Sequence, residues 1–216
     1  MQRQVFITGG TGYIGRHLIP ELLQGGHSVT ALIRRGSESK LAADCRSIVG
    51  DALNQNTFKE QIRPADTFVH LVGVAHPSPA KAAQFRAIDL VSIREAVAAA
   101  VISDVRHFIY LSVAQPAPIM KEYLAVRSEG EAMIRASGLN ATFVRPFYVL
   151  GPGHRWPYLL LPIFWFCSVL PRTRDGARRL RPVTLNQTIR ALVDSVEYPS
   201  TAIRILDAEK IRLAGK

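Results

Sequence analysis

The feature that most limits how this chain can fold lies at its beginning, in the run Thr8-Gly9-Gly10-Thr11-Gly12-Tyr13-Ile14-Gly15. It follows Val5-Phe6-Ile7, a short apolar run without polar alternation, as in a strand covered on both faces. It leads into a stretch with apolar Ile14, Leu18, Leu22 and Leu23 at helical spacing, which Gly25-Gly26 ends. Glycines three apart at such a junction have distinct uses. One permits the tight turn, one lets the backbone come close to a ligand, and one lets the helix pack on the strand. The helix N-terminus then presents N–H groups and the positive end of its dipole, an arrangement suited to phosphate groups. The strand before and the helix after make this pattern specific, since bare glycine triplets occur in many turns.

The same alternation continues downstream. Residues 28–33, 46–49, 67–72, 107–111 and 141–144 read as strands; 57–62, 80–102 and 122–136 read as helices, the second introduced by His76-Pro77-Ser78-Pro79. Regular alternation implies right-handed crossovers and a parallel sheet. After Gly151-Pro152-Gly153 the texture changes: 158–170 is heavily apolar and 172–181 holds five arginines. Thr184 then caps a helix to about Val196, and 202–206 reads as a late strand. The expected architecture is an α/β doubly wound parallel sheet, one domain over 1–216, with a small C-terminal substrate-side extension. Residues 151–201 are expected to form a small pocket or lid region within it.

Composition excludes several alternatives. A chain of 216 residues, 48% hydrophobic and 20% charged, can bury a core without disulfides or structural metal. Its two cysteines, Cys45 and Cys167, stand apart in no paired motif, which suits a reducing compartment. No basic segment followed by an apolar stretch and a cleavage site opens the chain, so the expectation is a cytoplasmic protein. The net charge of +10 favours anions, including a phosphorylated cofactor. No basic stripe interleaved with aromatics is visible, so nucleic acid is not an expected partner. The histidines show no metal-ligand spacing, and no G-x-S-x-G elbow is present.

The glycine run resembles the T-G-x-x-G-x-x-G signature of extended and atypical short-chain dehydrogenase/reductases, a group with an NAD(P)-binding Rossmann fold. That group includes epimerase-dehydratase-like, NmrA-like and complex I accessory-subunit-like members. The resemblance runs through most of the chain. It implies a dinucleotide held by Gly9, Thr11, Gly12, Tyr13, Ile14 and Gly15, with Asp51 near the adenine. It also implies that Leu71, Val72 and Gly73 pass beside the cofactor. Arg145-Pro146-Phe147-Tyr148-Val149-Leu150-Gly151-Pro152-Gly153 is similar to the family's R-P-x-x-V-x-G-P-G segment, which folds over the nicotinamide and puts Pro146 and Phe147 at the cofactor.

The end of the second strand bears on cofactor choice. A ribose 2′-hydroxyl is usually held there by an acid, and a 2′-phosphate by arginine. This strand runs into Arg34-Arg35-Gly36-Ser37, with Glu38 the first acid beyond. The arginine fork suits phosphate, which favours NADP(H) over NAD(H); the plainer alternative is two solvated surface arginines.

Family chemistry uses a Tyr-x-x-x-Lys pair on one helical face and a hydroxyl at the end of the fifth strand. Here the sequence has Tyr123-Leu124-Ala125-Val126-Arg127 and Ser112. The candidate catalytic set is Tyr123 as acid/base, Ser112 orienting the substrate and Arg127 binding the ribose. Arginine for lysine is not a conservative exchange at a shaped site. Two functions therefore stand open: an NADP(H)-dependent oxidoreductase acting on a partly hydrophobic small molecule, or a non-catalytic NADP(H)-binding sensor or scaffold. The 158–166 run, interrupted by Pro162, is too short to span a bilayer. It reads as a lid or core helix, or as a surface for lipid or quinone with the arginines beside it. Self-association through the long helices is a further option that the family offers.

Overall fold

A computed structural model of the chain describes residues 1–116, 120–152 and 180–214. Seven strands form one parallel sheet: β1 (Gln4–Thr8), β2 (Ser28–Ile33), β3 (Arg46–Val49), β4 (Thr67–His70), β5 (His107–Leu111), β6 (Ala141–Val144) and β9 (Ile203–Leu206), in the order β3-β2-β1-β4-β5-β6-β9. A separate parallel pair joins β7 (Val149–Leu150) to β8 (Val183–Thr184). The order reverses beside β1, which pairs with β2 on one side and β4 on the other. Such a reversal opens a crevice at the carboxyl ends of the strands.

Helices cover both faces, which is why the central strands read as unbroken apolar runs. One face carries α1 (Gly15–Gln24), α5 (Leu185–Glu197) and α6 (Ala208–Leu213). There Leu18, Leu22, Ile189, Leu192 and Ile211 pack on Ile7, Val69 and Ile109. On the other face α3 (Val91–Ile102) and α4 (Lys121–Ala136) cover an aromatic row. Its rings meet across neighbouring strands, Phe6 tilted against Phe68 with centroids 5.2 Å apart and Phe68 stacked on Phe108 at 5.0 Å. Each such ring contributes about 1.5–3 kcal/mol by leaving water. Helix α5 begins with a reciprocal capping box between Thr184 and Gln187.

Two expectations need correction. Residues 57–62 form no α-helix but part of two 3-10 turns, Gln55–Thr57 and Lys59–Gln61. Asn54 and Thr57 side chains bond to the local backbone there and compete with helical pairing. The long helix from 80 to 102 is composite: a 3-10 turn Pro79–Lys81, a short α2 (Ala82–Gln84), a π-helical stretch Phe85–Leu90, and only then α3. Within 151–201, the helix expected after Thr184 is α5, and its buried face packs on α1. The apolar run and the arginines through 179, with Cys167 and Gly153, lie outside the described residues. Among the described residues no helix is long and apolar enough to cross a membrane.

Candidate functional site

The glycine turn sits at the switch point, between the end of β1 and α1. Gly9 has φ +78°, and a Cβ there would lie 2.7 Å from the backbone carbon of Leu71, at the end of β4. A Cβ on Gly15 would meet the Gly10 carbonyl at 2.5 Å, so the start of α1 lies directly on the turn. Ile14 precedes α1 without a side-chain cap, and no acid occupies its first turn. The unfilled helix end, the side-chain-free turn and the crevice fit a pyrophosphate. Beneath it Thr8 Oγ1 and His70 Nδ1 share a 2.8 Å hydrogen bond that ties the ends of β1 and β4. Burial and the charge of Arg127 hold this imidazole neutral, its pKa pushed down to about 3.

The other cofactor candidates lie on the turn itself and just after β2, β3, β4 and β6. Thr11, Tyr13 and Ile14 are half-buried along the turn, with Gly12 N–H donating to the Gly9 carbonyl at 3.0 Å. Arg34 and Arg35 follow β2 directly, both exposed. Asp51 follows β3, exposed, with its Oδ1 accepting from Leu53 N–H at 2.9 Å. Leu71 and Val72 are half-buried against Gly9. Pro146 is buried, its carbonyl accepting from Ala114 N–H at 3.0 Å, and the Phe147 ring meets Tyr148 edge-on at 4.6 Å.

Arg127 behaves differently from an open ribose ligand. Its side chain is 6% exposed and pairs with Asp89, 0% exposed, at 2.7 Å. The guanidinium also donates to the Leu111 carbonyl at 3.1 Å, and lies 5.1 Å from the Tyr123 ring centroid and 5.6 Å from that of Tyr110. It passes so close to Gly73 that any side chain there would collide with Nη2. Asp89 Oδ2 accepts from Val74 N–H at 2.9 Å, so the pair joins the π-helical stretch, the end of β4 and α4. Burial opposes the arginine's charge, yet Tyr123, Tyr110 and Asp89 outweigh it and raise its pKa. Burial pushes the Asp89 carboxyl up, while Arg127 and the Val74 N–H pull it down. Burial also pushes the Tyr110 phenol up to about 12, against the pull of Arg127.

Tyr123 is half-buried, its ring between the guanidinium and Phe85, whose centroid is 5.0 Å away. Ser112 is buried, and its hydroxyl donates to Glu131 Oε1 at 2.7 Å. Glu131, 1% exposed, also holds Arg145 through Nε at 2.7 Å and through Nη2, and Arg135 at 3.3 Å. The Arg145 that opens the R-P segment therefore anchors to α4. The structure brings Tyr123 and Arg127 together but turns Ser112 towards a buried carboxylate.

Asp89 and Glu131 escaped the sequence reading. Asp89 was legible as an acid in helical register with Ser92, Ile93, Ala96 and Ala100, all buried. Glu131 follows Arg127 by four residues and shares its face with Ile134. A charge on a buried face needs a partner.

Comparison with known proteins follows the same lines. The chain is 30% identical over 176 residues to a ceramide reductase of Caulobacter vibrioides, covering 81% of this chain and 55% of that protein. It is 25% identical to a 4-hydroxy-2-methyl-3-oxo-4-farnesyl-3,4-dihydroquinoline-1-oxide ketoreductase of Stigmatella aurantiaca, covering 68% and 51%. The chain thus spans about half the length of these curated relatives. Its fold matches the Bordetella bronchiseptica enzyme WbmH, solved with NAD+, with a TM-score of 0.71 at 22% identity over 95% of this chain and 75% of that one. It also matches DesIV, a dTDP-glucose 4,6-dehydratase from Streptomyces venezuelae solved with NAD, at 0.69 and 20% identity, over 98% and 79%. The model of NAD(P)H-binding proteins matches residues 9–154, from the glycine turn through the R-P segment, and the chain belongs to that Rossmann-fold family, within the wider short-chain dehydrogenase/reductase group.

Proposed function

We propose that the protein is an NADP(H)-dependent oxidoreductase acting on a partly hydrophobic substrate. The observation that carries this reading is one continuous set of contacts. Gly9 lies on Leu71 and Val72, Arg127 lies against Gly73, and Tyr123 stacks on Arg127. The glycine turn and the start of α1 would hold the pyrophosphate, Arg34 and Arg35 the 2′-phosphate, and Asp51 the adenine side. Leu71 to Gly73 and Pro146-Phe147 would flank the nicotinamide, which when bound supplies or accepts a hydride. The Tyr123 phenol would give a proton to a substrate carbonyl oxygen, or take one from an alcohol. Arg127, held by Asp89, steadies the ring from one side. The names of the two relatives, a ceramide reductase and a ketoreductase of a farnesyl-bearing compound, point the same way.

One observation favours a second reading, a non-catalytic NADP(H)-binding sensor or scaffold. Ser112 and Arg127, the groups that would assist Tyr123, are both engaged by buried carboxylates. One experiment separates the two. Protein loaded with NADPH is mixed with carbonyl compounds and quinones bearing alkyl or isoprenoid chains, and the reduced-nicotinamide absorbance is followed. The oxidoreductase reading expects oxidation that Tyr123→Phe abolishes while NADPH still binds. Tight NADPH retention without turnover supports the second reading. If neither NADPH nor NADH at millimolar concentration raises the melting temperature, both fall, because a ligand of the native state must stabilise it.

A further inference from the structure

Tyr123, Arg127 and Glu131 stand four residues apart and share one stripe of α4. Arg127 lies against Gly73, just beyond β4, and donates to the carbonyl of Leu111, the last residue of β5. Glu131 reaches the next two connections, at Ser112 beyond β5 and Arg145 beyond β6. The stripe therefore fastens the helix that carries Tyr123 to the carboxyl ends of three adjacent strands, on the side where the crevice opens.

Glu131 is fully occupied by these ties. An ionised carboxylate offers about four lone-pair sites. Here Oε1 accepts from Ser112 Oγ and from Arg145 Nε, each at 2.7 Å, while Oε2 accepts from Arg145 Nη2 and from Arg135 Nη2, the latter at 3.3 Å. With its side chain 1% exposed and every site taken, it has no lone pair left for a substrate proton. The Arg145 contact is a planar fork on both carboxylate oxygens, a geometry that fixes direction as well as distance. Backbone bonds hold the same segment to the sheet: Arg145 N–H donates to the Leu206 carbonyl at 2.8 Å, and Ala114 N–H to the Pro146 carbonyl at 3.0 Å. Neither of those bonds touches α4, whereas the fork does. Pro146 locks the next φ, so little backbone freedom separates the fork from Phe147.

We infer that Glu131 is a positioning residue for hydride transfer. Through Arg145 it holds 145–147 in a fixed relation to α4, and so sets the nicotinamide against the Tyr123 phenol. This rests on the oxidoreductase reading, in which Pro146 and Phe147 flank the nicotinamide and Tyr123 handles the proton. An ion pair that served stability alone would be indifferent to where the nicotinamide sits.

The test uses the whole chain saturated with NADPH, whose reduced-nicotinamide emission reports the surroundings of the ring, at a temperature where circular dichroism shows each variant folded. Turnover is followed with a long-chain ketone that the wild type reduces. Glu131→Gln puts a donating amide against the guanidinium and breaks the fork. Arg145→Lys is the gentler variant, since it keeps the charge and loses only the fork. Both should move the bound NADPH emission towards that of free NADPH. Both should lower kcat about 10- to 100-fold, the scale of a misplaced reacting group, with the KM for NADPH nearly unchanged. The double variant should be no worse than the more affected single one, because the two residues act as a unit. Arg135→Ala removes a half-exposed partner of the same carboxylate but spares the fork, and should keep wild-type emission and kcat. Folded Glu131→Gln and Arg145→Lys with wild-type emission and kcat overturn the inference, as does an Arg135→Ala loss equal to theirs. Wild-type protein that binds NADPH without turnover removes the oxidoreductase reading and, with it, the role in hydride transfer; an emission shift in the variants then retains only the placement of the nicotinamide. Wild-type protein that turns over while the variants match it removes the Glu131 inference alone.

Discussion

Asp89 and Arg127 should behave as one unit, and removing either alone should be worse than removing both. Asp89→Ala leaves a guanidinium 6% exposed with the Leu111 carbonyl at 3.1 Å as its best remaining acceptor, and strips Val74 N–H of its partner. Breaking a buried pair from one side costs about 3–5 kcal/mol, because a charge stays buried without its counterion. Asp89→Asn keeps an acceptor but not the charge, and should cost about 1.5–3 kcal/mol. In the double variant Asp89→Leu with Arg127→Met, no charge is left to desolvate. Its cost should stay within about 2 kcal/mol, mostly the lost bonds to Val74 and Leu111. With Asp89→Leu and Arg127→Met as the single corners, each costing about 3–5 kcal/mol, the coupling energy from the cycle should then be at least about 4 kcal/mol, far outside ordinary additivity. Urea unfolding gives these differences directly. In a thermal scan Asp89→Ala should lower the melting temperature by roughly 6–20 °C, at about 2–4 °C per kcal/mol for a chain of this size. The reasoning is refuted if Asp89→Ala lies within about 1 kcal/mol of wild type, or if the double variant is as unstable as the two single changes added together.

Three further outcomes can be checked. Gly9→Ala places a Cβ 2.7 Å from the Leu71 backbone at φ +78°. The backbone conformation alone costs about 1–2 kcal/mol, and NADPH affinity by fluorescence titration should fall at least tenfold; near wild-type affinity would contradict the close packing of the turn on β4. Arg34→Ala with Arg35→Ala should weaken NADPH by about 10- to 100-fold and leave NADH nearly unchanged, as loss of charge-assisted bonds of about 1.5–3 kcal/mol requires; equal losses for both nucleotides would count against the NADP(H) assignment. Acid stability should report the buried histidines. Burial, aided by Arg127, pushes His70 to about 3, and burial with Arg204 and Arg3 pushes His107 to about 4. In the unfolded chain both titrate near ~6.5, so between that pH and about 4 the unfolded state binds more protons and stability falls as pH falls. Each contributes up to about 1.4 kcal/mol per pH unit in that window and nothing above pH ~7. His107→Asn should remove roughly half of the combined slope, and an unchanged slope would be inconsistent with a neutral buried His107.

The parts of this fold that were legible in the sequence are those set by local chemistry. The runs at 28–33, 107–111 and 141–144 became strands with those bounds, because strands covered on both faces carry no competing pattern, and the exposed edge strand 46–49 also kept its bounds. The glycine turn was legible for the same reason, since its spacing serves one junction. What escaped was decided by tertiary partners. The π-helical turn at Phe85–Leu90 brings Asp89 to Val74 N–H and Arg127, and no spacing within 80–102 announces contacts with residues far away in the chain. Ser112 read as an orienting hydroxyl because it follows β5, but its direction is set by Glu131, and helical spacing that puts Glu131 on a buried face does not say that Ser112 is its partner. The glycine turn and its packing on the end of β4 were thus readable from backbone demands, whereas the surroundings of Tyr123 depend on which carboxylates reach which cations.

The small parallel pair of β7 and β8 has a consequence for how this architecture can vary. Val149 lies beside Val183 and Leu150 beside Thr184, so the chain leaves and re-enters at adjacent points. Closing a length of chain between two held points costs only about 0.6 kcal/mol more per doubling of that length. A change of length between those two points therefore carries a small entropic cost, and the register of β6 on β9 is set by other residues.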